Sequence, residues 1–145
     1  MAENSRHEWD LPEIGLRRLS HRDMRLFWDR FLDARPDTRY VWGNVFSRWR
    51  AVPGTDLNLS LYITNRSVGL FVRGRRGTPH AAVRAALAPR RLELEQALGA
   101  LLSAEAPLLR NHPCATTDPS TWDDSHCWLR SAEAEYLRVL TRPKQ

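Results

Sequence analysis

The clearest pattern in this chain is an alternation of apolar and polar positions between Leu57 and Gly77. Every second residue from Leu57 to Ile63 is apolar, and the alternation resumes at Val68. A period of two predicts strands with one face on a core. Asn65 and Arg66 lie between the two runs, and Asn tolerates the left-handed backbone of tight turns. The stretch therefore predicts a β-hairpin, and the segment that follows it is rich in arginine.

Three other stretches show the apolar spacing of helices. Ser20 is a capping residue before an apolar face that predicts a helix to about Ala34, where Pro36 follows. Pro79 predicts the start of a second helix that continues to about Leu102, with a kink or restart at Pro89. A third helix is predicted from Ser120 or Thr121 to Leu140. The face of the first helix consists of Met24, Phe27, Trp28 and Phe31.

The remaining apolar segments predict further strands. Residues 40–51 are rich in strand formers, and Leu108 and Leu109 favour a short fourth strand. The segment from Asn111 to Thr121 has the composition of a loop. The predicted fold class is α+β: an antiparallel meander sheet of three to four strands, packed on one face by about three helices. We expect one domain over residues 20–142, preceded by an arm over residues 1–19.

Composition and charge limit which cellular compartment and which binding partners we expect. The chain has 145 residues and a net charge of +5, with Lys144 as the only lysine. A positive charge permits nucleic-acid binding, whereas arginine in place of nearly every lysine is also what a GC-rich genome would encode. No apolar run approaches the length of a membrane helix, and the amino terminus is polar. We therefore expect a cytoplasmic protein whose two cysteines are free thiols.

The arginine-rich turn is the best candidate for a ligand site. Arg73, Arg75 and Arg76 alternate with glycines just before a predicted helix start, where free N–H groups favour anions. Arg48 and Arg50, beside Trp49, extend this candidate anion or nucleic-acid site, because arginine next to exposed aromatic rings suits single strands. The alternative is a solvated turn whose arginines pair with nearby carboxylates.

The candidates for metal binding and catalysis are weaker. His112, Cys114, His126 and Cys127 are residue types that bind zinc, but adjacent His126 and Cys127 on a helix point about 100° apart. The predicted strands hold no group of carboxylates, and no nucleophile has a well-placed base. We predict no catalytic residue, no metal site and no cofactor.

Three segments carry a resemblance to a known family. They are FWDRF at Phe27–Phe31, followed later by the LNLSLYITNRSVGLFV strand pair, and TDPSTWDDSHCWL at Thr117–Leu129. Together they resemble a bacterial and archaeal domain family of unknown function that is often fused to restriction-endonuclease-like domains. The family pattern Asp-x-x-x-Trp-x-x-x-His-x-Trp-Leu corresponds here to Asp118, Trp122, His126, Trp128 and Leu129. The resemblance implies an accessory role beside a nuclease or defence system and no established catalytic residue.

Two functions follow from these patterns. The first is a non-catalytic accessory or nucleic-acid-associated module that contacts phosphate through its arginines. The alternative is a protein-interaction module, a homodimer for example, that uses an open sheet face or an edge strand and has no nucleic-acid role.

Overall fold

A five-stranded antiparallel sheet in the order β1-β2-β3-β4-β5 organises the molecule. The computed structural model describes residues 18–141, and the predicted arm over residues 1–19 lies outside this range except for Arg18 and Leu19. The strands are β1 (Trp42–Gly43), β2 (Ser47–Ala51), β3 (Asn58–Ile63), β4 (Ser67–Arg73) and β5 (Arg110–Pro113). The helices are α1 (His21–Asp33), α2 (His80–Leu87), α3 (Arg91–Leu98) and α4 (Trp122–Leu140).

The alternation in β3 and β4 decides which face of the sheet is buried. Leu61 pairs with Leu70 and Ile63 with Val68, and all four side chains lie in the core. The helices contribute their apolar faces to the same core, so they cover one side of the sheet only. The α+β class and the helices on one face are thus confirmed. In residues 18–141, no helix has the length and apolar character needed to cross a bilayer.

The predicted helices are confirmed in position, except that the second one ends at Leu98 and not at about Leu102. Ser20 caps α1 as expected, because its Oγ accepts a hydrogen bond from the Asp23 N–H at 3.0 Å. The predicted interruption at Pro89 is a 3-10 turn, Ala88–Arg90, that joins α2 to α3. Gly99 ends α3 with a left-handed backbone (φ 61°), the usual conformation after the last turn of a helix.

Two strand predictions were wrong. Residues 40–51 form a hairpin, β1 and β2, and not one strand, because the Asn44 Oδ1 accepts hydrogen bonds from the N–H groups of Phe46 and Ser47 and reverses the chain. The last strand is Arg110–Pro113 and not Leu108–Leu109. Leu108 is fully buried as expected for a core residue, but its left-handed backbone (φ 58°) does not fit a strand. The sheet therefore has five strands, and part of the segment predicted as loop belongs to it.

The β3–β4 turn lies where it was predicted, although for a different reason. Thr64 and Ser67 close it with a backbone hydrogen bond of 2.8 Å across Asn65 and Arg66. Asn65 does not adopt the left-handed backbone, since Leu108 is the only non-glycine residue with positive φ in the described range. Its side-chain oxygen instead accepts the Leu19 N–H at 2.7 Å, so Asn65 anchors the segment that leads into α1.

A buried carboxylate joins three parts of the fold. Glu133 on α4 is fully buried, and its Oε2 accepts hydrogen bonds from the Tyr40 hydroxyl at 2.8 Å and from Arg50 at 2.9 Å. Its Oε1 pairs with Arg35. Burial first, and the Glu133 charge second, raise the pKa of Tyr40, which therefore remains a hydroxyl donor. The cluster connects α4 to β2 and to the segment between α1 and β1.

Removing the charge of Glu133 should destabilise the fold. In Glu133→Gln, the guanidinium groups of Arg35 and Arg50, which are 18% and 26% exposed, would lose the buried carboxylate that compensates them, and this should cost about 1–3 kcal/mol. Urea unfolding followed by circular dichroism measures this change. Glu135→Gln is the matched control on the same helix, because its pair with Arg110 is partly exposed and should contribute at most about 1 kcal/mol. Equal effects of the two substitutions would contradict this account.

Buried His126 should make the stability fall in mild acid. Its Nε2–H donates to the Phe27 carbonyl at 3.0 Å, and burial lowers its pKa from 6.5 to about 4. Between these values the unfolded chain binds a proton that the folded chain does not, so the free energy of unfolding decreases as the pH decreases. Between about pH 7 and about pH 5, the wild type should lose about 2 kcal/mol more than His126→Gln.

Urea unfolding at the two pH values measures this difference, with His21→Gln as the control because His21 is exposed. If His126→Gln and the wild type lose the same stability on acidification, His126 is not the neutral, buried imidazole described here.

Candidate nucleic-acid interface

The sheet face opposite the helices carries a row of aromatic side chains. Trp42 pairs with Trp49, Trp49 with Ser60, and Ser60 with Phe71, so these four residues form one line across β1 to β4. Three inter-strand spacings of about 4.8 Å separate the two ends by roughly 14 Å. Trp42 and Phe71 are half-buried, whereas Trp49 is only 5% exposed. We call this surface the open face.

The next row of the open face holds a tyrosine that lies across the neighbouring strand. Tyr62 pairs with Gly69, and Gly69 pairs with Asn111 on β5. A Cβ on Gly69 would overlap the Tyr62 hydroxyl, so only glycine lets the ring lie there. The hydroxyl reaches Asn111 and donates to its Oδ1 at 2.9 Å. The Tyr62 ring therefore lies on the open face beside Phe71, with ring centroids 6.5 Å apart.

Arg73 covers the middle of the open face. It lies at the end of β4, and its guanidinium carbon is 3.7 Å from the centroid of the Trp49 ring on β2. The side chain therefore crosses β3, on which Asn58 is its own register partner and Ser60 is that of Trp49. This stacking is a cation–π contact. Burial lowers the pKa of Arg73, although an arginine keeps its charge at neutral pH.

Arg76 repeats this contact at the edge of the sheet. It belongs to the connection between β4 and α2, and its guanidinium carbon lies 5.2 Å from the Trp42 ring centroid. The Trp42 and Trp49 rings are 4.5 Å apart, so two cations lie on two neighbouring rings. Within residues 18–141, no carboxylate is in ion-pair distance of Arg73 or Arg76.

His80 at the start of α2 completes the border of the open face. Its ring lies edge-on to Phe71, with centroids 5.5 Å apart. Burial, and secondly the charge of Arg73, lower the pKa of His80, so its imidazole is neutral at neutral pH. The Nδ1 of His80 and the Nε of Arg73 are both buried, and neither has a hydrogen-bond partner in the described part of the chain. These two nitrogens are the unsatisfied polar atoms closest to the aromatic row.

Arg75 differs from its two neighbours. Its Nη2 donates to Asp56 Oδ1 at 2.7 Å, and the two side chains are 76% and 80% exposed. An ion pair at this exposure is screened by solvent and salt and contributes little to stability. The alternative that the arginines of the turn pair with carboxylates thus describes Arg75, but not Arg73 or Arg76.

Arg48 and Arg50 lie on the other face of the sheet. They pair in register with Leu61 and Leu59, whose side chains are in the core under the helices. Arg50 binds Glu133, and Arg48 packs its guanidinium 5.2 Å from the centroid of Trp28. The structure therefore brings two of the five predicted arginines, Arg73 and Arg76, together on the open face, and it separates Arg48 and Arg50 from them.

The four candidate zinc ligands do not converge. His112 stacks on the Trp128 ring, with centroids 5.1 Å apart, while His126 lies buried against α1. Burial raises the pKa of the Cys114 thiol, so it is a weak nucleophile, and Cys127 is exposed. Among residues 18–141, no three His, Cys, Asp or Glu side chains are grouped so that they could hold a metal ion.

The residues of the Asp-x-x-x-Trp-x-x-x-His pattern have structural roles. Asp118 caps the 3-10 turn Pro119–Thr121 by accepting the Ser120 N–H at 3.0 Å. Trp122 is buried and donates from its indole nitrogen to the Thr116 carbonyl at 2.7 Å. His126 donates to Phe27 of the FWDRF segment. The two quoted motifs thus contact each other in the core, where they join α4 to α1.

Comparisons of the chain with family models, with curated proteins and with solved structures found no match. The family resemblance stated above therefore stays a prediction.

Sequence reasoning found the arginines of the turn and named Trp49 beside them, but it missed Trp42 and His80. Trp42 was missed because it was assigned to the same strand as Trp49, and only the turn at Asn44 pairs the two rings. Phe71 was recognisable, since the alternation already put it on the same side as Arg73.

The Arg73–Trp49 contact should be measurable as a coupling free energy. A double-mutant cycle with Arg73→Met and Trp49→Leu should give about 0.5–2 kcal/mol, the range of cation–π contacts. Urea unfolding of the four proteins measures it. The control cycle pairs Arg75→Met with Trp49→Leu and should give a value near zero, because Arg75 turns toward Asp56. Similar coupling in both cycles would argue against a specific contact.

Proposed function

We propose that this protein is a non-catalytic, nucleic-acid-associated module that binds its ligand on the open face. One observation carries the proposal: Arg73 and Arg76 lie on the Trp49 and Trp42 rings, on a face that no described helix covers, and neither has a carboxylate partner in the described range. Guanidinium groups bind phosphate oxygens in pairs through planar N–H edges. A ring that holds the flat side of a guanidinium leaves those edges available.

Charge favours this ligand over a second copy of the chain. Two open faces in contact would bring Arg73 and Arg76 of both copies together, and like charges in an interface oppose association. The edge strands are also poor templates for pairing, because β1 has two residues and β5 ends in a proline. The phosphate backbone of a nucleic acid carries the negative charge that is complementary to Arg73 and Arg76.

An accessory role beside a nuclease is the wider context that we propose. It rests on the resemblance of the Phe27–Phe31 and Thr117–Leu129 segments to a family often fused to restriction-endonuclease-like domains. In this scheme the present chain holds the nucleic acid, and a separate domain performs any cleavage.

Binding should depend steeply on salt and on Arg73 and Arg76. Fluorescence anisotropy with labelled single-stranded and duplex oligonucleotides should give an affinity that falls as salt rises, because phosphate contacts release counterions. Arg73→Gln together with Arg76→Gln should weaken binding and lower the salt slope by roughly one for each phosphate that the variant no longer neutralises.

The matched control is Arg25→Gln together with Arg138→Gln. It removes the same charge from exposed positions on α1 and α4, on the opposite side of the sheet, and should leave binding near the wild-type level. Absence of binding at low salt, or an equal loss in the two double variants, would refute the proposed site.

A further inference from the structure

We infer that the nucleic acid bound on the open face is single-stranded, with its bases stacked on the exposed parts of the aromatic row. This inference rests on the proposed function and adds the class of substrate. It follows from the arrangement of three groups: the Trp42 ring, the Arg73 guanidinium on Trp49, and the Phe71 ring.

Within residues 18–141, the open face offers flat rings and no projecting element. β1 to β4 present their side chains from one sheet, and Tyr62 lies across Gly69 toward Asn111 instead of rising from the surface. The bases of a duplex are stacked on one another, and their edges are reached by a helix or ribbon inserted into a groove. The bases of a single strand are free to stack on aromatic side chains. The shape of the open face therefore fits the single strand.

The order of cations and rings along the row fits a strand that crosses the sheet. Trp42 and Phe71 are half-buried and lie roughly 14 Å apart at the two ends. The Arg73 guanidinium lies between them, and its plane can itself receive a base. Arg76 lies beside Trp42, where it can contact the backbone next to a base stacked there. The row therefore offers three stacking platforms, and Arg76 lies beside the first of them as a phosphate contact.

His80 distinguishes this face from a general cation patch. Its neutral imidazole adds no charge, and its ring holds Phe71 edge-on at 5.5 Å. The Phe71 ring is thus fixed by packing before any ligand binds, which reduces the entropy cost of stacking. Because the Phe71 ring is held in place before binding and His80 adds no charge, we expect stacking to supply a large part of the free energy of binding.

The test compares strand forms and ring substitutions in one assay. Labelled single-stranded DNA and RNA of about 12 nucleotides, a length within the site sizes of single-strand-binding domains, are titrated beside the corresponding duplex. Single strands should bind more tightly than the duplex at equal salt. Trp42→Leu and Phe71→Leu should each weaken single-strand binding by about 5- to 150-fold and leave duplex binding nearly unchanged.

Matched controls separate stacking from folding. Trp42→Phe keeps a ring at the same position and should retain most of the affinity. Trp128→Leu removes another half-buried tryptophan, which stacks on His112 away from the open face, and should leave single-strand binding at the wild-type level. Circular dichroism of each variant confirms that it is folded.

The outcomes are distinguishable from those of the proposed function. Equal, salt-dependent binding of single strands and duplex would support nucleic-acid binding and overturn the single-strand inference. Unchanged single-strand binding by folded Trp42→Leu and Phe71→Leu would overturn that inference as well. Absence of binding to any oligonucleotide at low salt would overturn both. Preference for the DNA or the RNA strand identifies the natural source within the same class of ligand.

Discussion

The buried carboxylate of Glu133 is the interaction that governs the arrangement of charges in this fold. A charge inside a protein must be paired, and Glu133 is paired by Arg35, Arg50 and the Tyr40 hydroxyl. These contacts fix α4 against β2, on the face where Leu59 and Leu61 are buried. They also pair the charge of Arg50 within the fold. On the helix-covered side of the sheet, the charge of Glu133 is therefore compensated within the fold.

The two faces of the sheet use the same residue types differently. Under the helices, arginine contributes to the packing and charge balance of the fold, since Arg48 packs on Trp28 and Arg50 neutralises Glu133. On the open face, Arg73 lies on Trp49 and has no carboxylate partner among residues 18–141. A cation held by a ring keeps its charge available to phosphate, whereas a cation held by a carboxylate does not. The proposed ligand site follows from this difference and not from the number of arginines.

Much of this arrangement could be read from the chain. The alternation from Leu57 to Val72 predicted the β3–β4 hairpin and put Phe71 and Arg73 on one side, because a period of two has only one way to bury its apolar face. The hairpin of β1 and β2 could not be read in the same way. Its turn depends on the side chain of Asn44, and the flanking residues favour strands so uniformly that no boundary is visible.

Local periodicity was enough to specify the α+β class, the helix positions and the side of each strand in the β3–β4 hairpin. The pairing of the arginines, in contrast, emerged from the packing of the elements. Arg50 and Glu133 are far apart in the chain and meet because α4 packs on β3 and β4, next to β2, while Arg73 and Trp49 meet because β4 and β2 both pair with β3. Pairing depends on distances between elements, and no local pattern encodes those distances.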